Sequence, residues 1–316
     1  MRNKRILITG ATGFIGSNLA GYFLKKNANV FIFTRKTSNK WRIKGLLGNV
    51  SEHQIDLLDE NGLEKAVRKI KPEIIFHTSV YGAYPYQNDA KKIIEVNFTG
   101  TINLLNACLK KGFEIFVNTG SSSEYGVKNK PMKESDSLEP LSEYSASKAA
   151  AALFCQAVAR KKNVTAVTLR LFSPYGYFEE QDRLVPSLIL ACIKSKNPKL
   201  SSPDSPRDFI FIEDVLKAYE KVVDNKDKVK AEIFNIGSGK QHTVGEVADK
   251  VIKLTGSKVK PKWGAVPNPR HEPLRWEANI QKAKRILGWK PVCTLQEGLL
   301  KDIKWHKERF MEGVVS

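Results

Sequence analysis

The sequence predicts an α/β fold: a doubly wound parallel sheet joined to a smaller C-terminal domain. Three observations predict it. From residue 6 to residue 171, short apolar runs that fit buried strands alternate with segments of helical periodicity. A glycine-rich turn, Thr9-Gly10-Ala11-Thr12-Gly13-Phe14-Ile15-Gly16, joins the first strand to the first helix. Beyond residue 172 the segments become irregular and proline-rich, with Pro174, Pro186, Pro198 and Pro206. The first domain is therefore read as 1–172 plus about 208–236, and the second as 173–207 plus 237–316.

Ile6-Leu7-Ile8 is the first strand. Phe14, Leu19, Phe23 and Leu24 fall at helical spacing, so a helix follows. Its N-terminus offers unpaired N–H groups and a partial positive charge, which suit a pyrophosphate. Gly10 serves the tight turn, Gly13 the approach of backbone to phosphate, and Gly16 the helix–strand contact. Thr12, Phe14 and Ile15 stand in the same loop. This placement predicts a Rossmann-type dinucleotide site.

The second strand, Val30–Phe33, ends in Thr34-Arg35-Lys36, where an NAD site places an acid for the ribose. Thr34 stands there instead. Arg35 can pair with a 2′-phosphate, which favours NADP(H) and leaves NAD(H) as the alternative. The third strand ends near Gln54–Leu58, with Asp56 where it could reach an adenine amino group. A helix over Leu63–Ile70 leads to a strand at Glu73–His77. His77 reads as a satisfied strand residue. The tail Thr78-Ser79-Val80 lies at the carboxyl edge, where α/β folds bind ligands. The loop from Tyr81 to Tyr86 is either a stacking surface for a base or sugar, or a packed loop. It and Leu184–Ser187 are read as the lid loops that set the substrate.

A long helix is predicted over Lys91–Lys110, and a fifth strand over Ile115–Val117. That strand opens into Ser121-Ser122-Ser123-Glu124-Tyr125-Gly126, which is either a set of hydroxyl donors or a turn. Tyr144 and Lys148 share one face of a helix running to about Arg160. An ammonium beside a phenol predicts a Tyr144 pKa lowered toward an acid/base range. Val164–Leu171 is the sixth strand. Arg207–Val215 gives a short strand and helix, and Glu232–Ile236 a further strand. Helices follow at Thr243–Thr255, Ile280–Leu287 and Leu295–Phe310.

Composition narrows the class. The chain has 316 residues, 41% hydrophobic, which is ample for a core. No apolar run approaches the roughly 20 residues needed to span a bilayer. Met1-Arg2-Asn3-Lys4 runs straight into a strand without a signal-peptide pattern. Cys108, Cys155, Cys192 and Cys293 are scattered, so neither a disulfide framework nor a metal site is expected. A cytoplasmic protein with free thiols follows. The net charge of +19 comes from 52 basic and 33 acidic residues. The basic residues are spread along the chain, most of them at helix ends, without interleaved aromatics, so a solvated surface is expected rather than a nucleic-acid site.

Together, the residues resemble the extended short-chain dehydrogenase/reductases, the group of nucleotide-sugar epimerases, dehydratases and reductases. The resemblance rests on Thr9–Gly16, Asp56-Leu57, Val96-Asn97 with Gly100-Thr101, and Ser121–Gly126. It continues through Tyr144–Lys148, Arg207-Asp208-Phe209, Asp214-Val215, and Ala283-Lys284 with Leu287–Pro291. It implies that Tyr144 exchanges the proton of a sugar hydroxyl, that Lys148 holds the nicotinamide ribose, and that Ser121 is the third catalytic hydroxyl. It places Asp56 and Leu57 at the adenine and Thr78 in the cofactor site. Tyr81, Ser122, Ser173, Arg207 and Arg270 fall to the nucleotide-diphosphate sugar. It also implies a homodimer packed through helices around 91–110 and 142–160.

Departures from the family pattern narrow the reaction. The acids that follow the catalytic hydroxyl in 4,6-dehydratases are Ser122 and Ser123 here, and the nearest acid, Glu124, lies one place further on. Ser173 stands where the family's asparagine is usual. The expectation is therefore an NADPH-dependent reductase of a 4-keto nucleotide sugar. The alternative is a nucleotide-sugar 4-epimerase with bound NAD, and a non-catalytic sensor or RNA-binding relative comes third.

Overall fold

The computed structural model of the chain describes residues 1–266 and 274–312. Its strands are β1 (Arg5–Thr9), β2 (Asn29–Thr34), β3 (Ser51–Gln54), β4 (Ile74–His77), β5 (Ile115–Ser121) and β6 (Ala166–Leu171). Short strands follow at β7 (Pro174–Tyr175), β8 (Pro206–Arg207) and β9 (Ile210–Phe211), then β10 (Ile233–Ile236) and β11 (His242–Thr243). The helices of the first half are α1 (Phe14–Leu24), α2 (Glu60–Ile70), α3 (Ala90–Ile94), α4 (Gly100–Leu109) and α5 (Glu143–Lys162). Those of the second are α6 (Leu184–Ile193), α7 (Ile212–Asp224), α8 (Val244–Thr255), α9 (Gln281–Leu287) and α10 (Leu295–Met311).

Seven strands form one parallel sheet in the order β10-β6-β5-β4-β1-β2-β3. Apart from the polar edge strand β3, its strands carry apolar residues on both faces, as a sheet covered by helices on each side requires. Ile6 and Ile8 enter one buried cluster while Leu7 between them enters the other. The order reverses at β1, which pairs with β2 on one side and β4 on the other. Such a switch point opens a crevice at the carboxyl ends of the strands.

Two elements differ from the sequence-based expectation. Leu184–Ser187 is not a lid loop but the first turn of α6. Pro186 fits there because its missing N–H has no partner in a first turn. Val185, Leu188, Ile189 and Cys192 then bury one face. The helix expected over 91–110 is interrupted by a π-helical turn at Glu95–Thr99. Asn97, buried in that turn, donates to Tyr81 O and to Ser147 Oγ and accepts from Tyr81 N.

In the second half, α6, α8 and α10 pack together. Buried acids tie its segments to the sheet. The Asp208 carboxylate accepts from Ser238 N, Gly239 N and Ala278 N. Asp214 accepts from Val292 N and Cys293 N. Asp302 and His306 are buried four residues apart on α10, with Asp302 Oδ1 3.7 Å from His306 Nε2 and, among the described residues, no hydrogen bond to either side chain. No helix among the described residues is long and apolar enough to cross a membrane.

Candidate active site

A cavity of about 780 Å³ opens along the carboxyl edge of the sheet, a size that suits a ligand site. Its floor is the glycine turn. Gly10 has φ +68°, and a Cβ there would stand 2.6 Å from Ser79 N. A Cβ on Gly16 would run into the Gly10 carbonyl. Gly13 precedes α1, which has no side-chain cap and no acid in its first turn, so the N–H groups that open the helix at Phe14 and Ile15 can face an anion. Thr12, Phe14 and Ile15 complete this wall. The close-set glycines and uncapped helix fit the pyrophosphate of a dinucleotide.

Thr34, at the end of β2, is buried, and its hydroxyl donates to Glu52 Oε1 on β3 at 2.5 Å. Lys40 pairs with the same carboxylate at 2.6 Å. Lys40 first, and then Thr34, hold Glu52 below the usual carboxylate range. This acid beside Thr34 was not foreseen. It is not among the cavity-lining residues, whereas Arg35 and Ser38 are. Asp56, Leu57 and Thr78 also line the cavity, with the Thr78 hydroxyl donating to Thr9 O at 2.7 Å.

Ser121 ends β5 and caps the turn that follows, with its Oγ 2.8 Å from Ser123 Oγ. Glu124 turns inward and is fully buried. It accepts from Ser121 N at 2.7 Å and from Arg170 Nε at 2.6 Å. Arg170 also donates to Tyr125 OH at 2.8 Å. Glu124 therefore belongs to a structural ion pair, and it is not among the cavity-lining residues.

Ser142 caps α5 and so sets where Tyr144 and Lys148 project, and both line the cavity. Burial pushes the Tyr144 pKa up, although a hydrogen bond with Ser121 opposes it. This corrects the expected lowering. Burial also lowers the Lys148 pKa, so the same desolvation disfavours both charged forms. His77 sits between Thr9 Oγ1 at 2.7 Å and Thr101 Oγ1 at 2.9 Å. Burial drops its pKa to about 3, which keeps it neutral.

On the far wall, Ser122, Ser173 and Arg207 line the cavity. Ser173 has φ +22°, a backbone that asparagine tolerates better than serine. The Arg207 guanidinium lies 5.8 Å from the Trp276 ring centre. Tyr81 does not line the cavity. Its backbone is held by Asn97 and its ring by Lys92 at 4.8 Å. Tyr84 and Tyr86 line it instead, stacked at 5.5 Å, with Arg183 4.7 Å from the Tyr84 ring. Arg270 lies outside the described residues. Sequence reasoning also missed Arg42, Glu179, Glu180 and Arg183 on this wall. Arg183 immediately precedes the unforeseen α6 without capping it through its side chain, and no local pattern marks Arg42.

A family model described as the NAD dependent epimerase/dehydratase family matches residues 6–237. An uncharacterized UDP-glucose epimerase, YtcB, of Bacillus subtilis is 28% identical over 95% of this chain and 97% of its own length. A UDP-glucuronate 4-epimerase of Thermodesulfobacterium geofontis is 26% identical over 96% of both chains. The crystal structure of UDP-glucuronic acid 4-epimerase from Bacillus cereus, in complex with UDP-glucuronic acid and NAD, superposes with a TM-score of 0.86. It is 25% identical and covers 96% of this chain and 99% of that one.

Proposed function

The chain belongs to the NAD dependent epimerase/dehydratase family, and we propose that it is a nucleotide-sugar 4-epimerase acting on a UDP-sugar. What carries the reading is one cavity wall that holds Ser121, Tyr144 and Lys148 together with the glycine turn, while Glu124 is held inside the fold by Arg170. An elimination across carbons 5 and 6 needs an acid at the position of Ser122 or Ser123. A 4-epimerisation does not. The names of the relatives support the same choice.

Gly10, Thr12, Gly13, Phe14 and Ile15 would hold the pyrophosphate of the dinucleotide, Asp56 and Leu57 its adenine, and Thr78 its inner edge. When bound, the dinucleotide supplies a nicotinamide that takes and returns hydride at carbon 4. Tyr144 takes the proton of the carbon-4 hydroxyl and later gives it back. Ser121 hydrogen-bonds the same oxygen, and Lys148 holds the ribose and lends positive charge to the phenolate. Arg207 and Arg270 are assigned the diphosphate, and Ser122, Ser173 and Tyr84 the sugar.

The assigned domains are 1–172 plus about 208–236 for the dinucleotide and 173–207 plus 237–316 for the substrate. Half-exposed Ile94 beside α4 and Leu153 on α5 support a homodimer through these helices.

A second reading, an NADPH-dependent 4-keto reductase, is favoured by Arg35 and Ser38 on the ribose side of the cavity. One experiment separates the two. The protein is denatured, the released nucleotide is identified, and fresh protein is incubated with UDP-glucose and UDP-glucuronic acid. Retained NAD and a carbon-4 epimer formed without net reduction support the epimerase. No epimer, together with NADPH consumed by a 4-keto sugar nucleotide, establishes the reductase.

A further inference from the structure

We propose that Arg42 is a positioning residue that couples the dinucleotide loop to the substrate wall. It lies in the short helical turn Trp41–Leu46 that follows β2. Its side chain is only 6% exposed, yet it lines the cavity. Nη1 donates to Thr12 O, in the glycine turn, at 3.3 Å. Nε donates to Phe178 O at 2.6 Å, across 136 residues of sequence. Nη2 stands 2.9 Å from Glu180 Oε2. One rigid fork therefore joins the phosphate cradle to the loop carrying Glu179, Glu180 and Arg183.

That loop needs holding. Phe178 has φ +67°, a left-handed backbone that disfavours a bulky side chain. Arg42 grips the carbonyl of this strained residue. Aromatic packing supports the grip from behind: the Trp41 ring lies 4.4 Å from the Arg42 guanidinium, Phe178 packs on Trp305 at 5.2 Å, and Arg309 of α10 covers Trp305 at 4.8 Å. At the loop's other end, Arg183 Nη2 donates to Ala83 O at 2.5 Å, so its position carries through to the tyrosine loop. A dinucleotide that immobilises Thr12 fixes one end of the fork and, through it, Phe178 and Glu180. A lysine keeps the charge but cannot bridge both carbonyls.

The inference rests on a dinucleotide occupying the glycine turn, as in the proposed function, and not on which sugar reaction follows. The test is amide hydrogen exchange on the full chain, with and without NADH or NADPH at saturation monitored by nicotinamide fluorescence. In the wild-type protein, exchange over residues 178–184 slows about fivefold or more on binding, the equivalent of roughly one hydrogen bond. In Arg42→Lys and Arg42→Met the slowing falls below about twofold, while residues 10–16 remain protected. Should Arg42→Met fail to fold, Arg42→Lys, which still faces Glu180 with a cation, gives the same reading. Slowing that persists at 178–184 in the folded variants, or none in the wild-type protein, overturns the proposal. A wild-type protein that slows as expected but leaves UDP-sugars unchanged sinks the epimerase reading alone.

Discussion

Replacing Arg170 with methionine removes one half of an ion pair whose other half cannot reach water. Glu124 is fully buried and Arg170 is 1% exposed. After the change the carboxylate keeps the Ser121 N–H but loses the guanidinium that balances its charge. Breaking such a pair costs about 3–5 kcal/mol. Glu124→Leu leaves Arg170 with the Tyr125 hydroxyl and costs a similar amount, roughly 3–5 kcal/mol. The double variant removes both charges and replaces them with apolar volume, so its loss falls short of the sum of the two by about 2–4 kcal/mol. Urea unfolding read by the fluorescence of the 5 tryptophans measures all three, and an unchanged m value keeps the comparison valid. The reasoning is refuted if the losses add to within about 0.5 kcal/mol, because the two groups would then not depend on each other. Because Glu124 holds the backbone of Ser121, Glu124→Leu also loses turnover.

Tyr144→Phe lowers turnover by about 10²–10⁴-fold and leaves NADH affinity within about twofold; residual activity near that of the wild-type protein would remove Tyr144 from the proton step. Gly16→Ala drives a methyl group into the Gly10 carbonyl and weakens NADH binding by at least about tenfold, with an unchanged titration curve as the contrary result. Burial pushes the Asp302 pKa from 3.8 up to about 7. A raised folded-state value means that stability is fully present below pH 3.8 and is lost as pH rises through about 7. Asp302→Asn therefore stabilises the protein by an amount that grows from about pH 4 to about pH 7 and then levels at no more than about 4 kcal/mol; a gain independent of pH would disprove the assignment.

Local patterns carried much of the architecture. The run Ile6-Leu7-Ile8 before Gly10 identifies a buried strand turning into a helix, and the fold places that turn under the cavity. Tyr144 and Lys148 both line the cavity because α5 repeats every 3.6 residues, and a spacing of four is visible in one dimension. The direction of the Tyr144 pKa was not visible. It depends on how much water the fold removes around the phenol, a property of distant segments. Asn97 could be read as part of a helix, but not as the centre of a π-helical turn bonded to Tyr81 and Ser147. Arg42 was illegible for the same reason. Its partners, Thr12 and Phe178, lie 30 and 136 positions away.

The Asp208 knot orders events as the chain is made. Its bonds to Ser238 N and Ala278 N span 30 and 70 residues. The β1–α1–β2 unit that carries the glycine turn, by contrast, pairs Arg5 with Asn29. Shorter loops close at lower entropic cost. A nascent chain therefore contains every segment of its nucleotide cradle, through Ser79, long before residue 278 arrives to secure the opposite wall. A product truncated between the two would carry the residues of the cavity floor without those of the side assigned to the sugar.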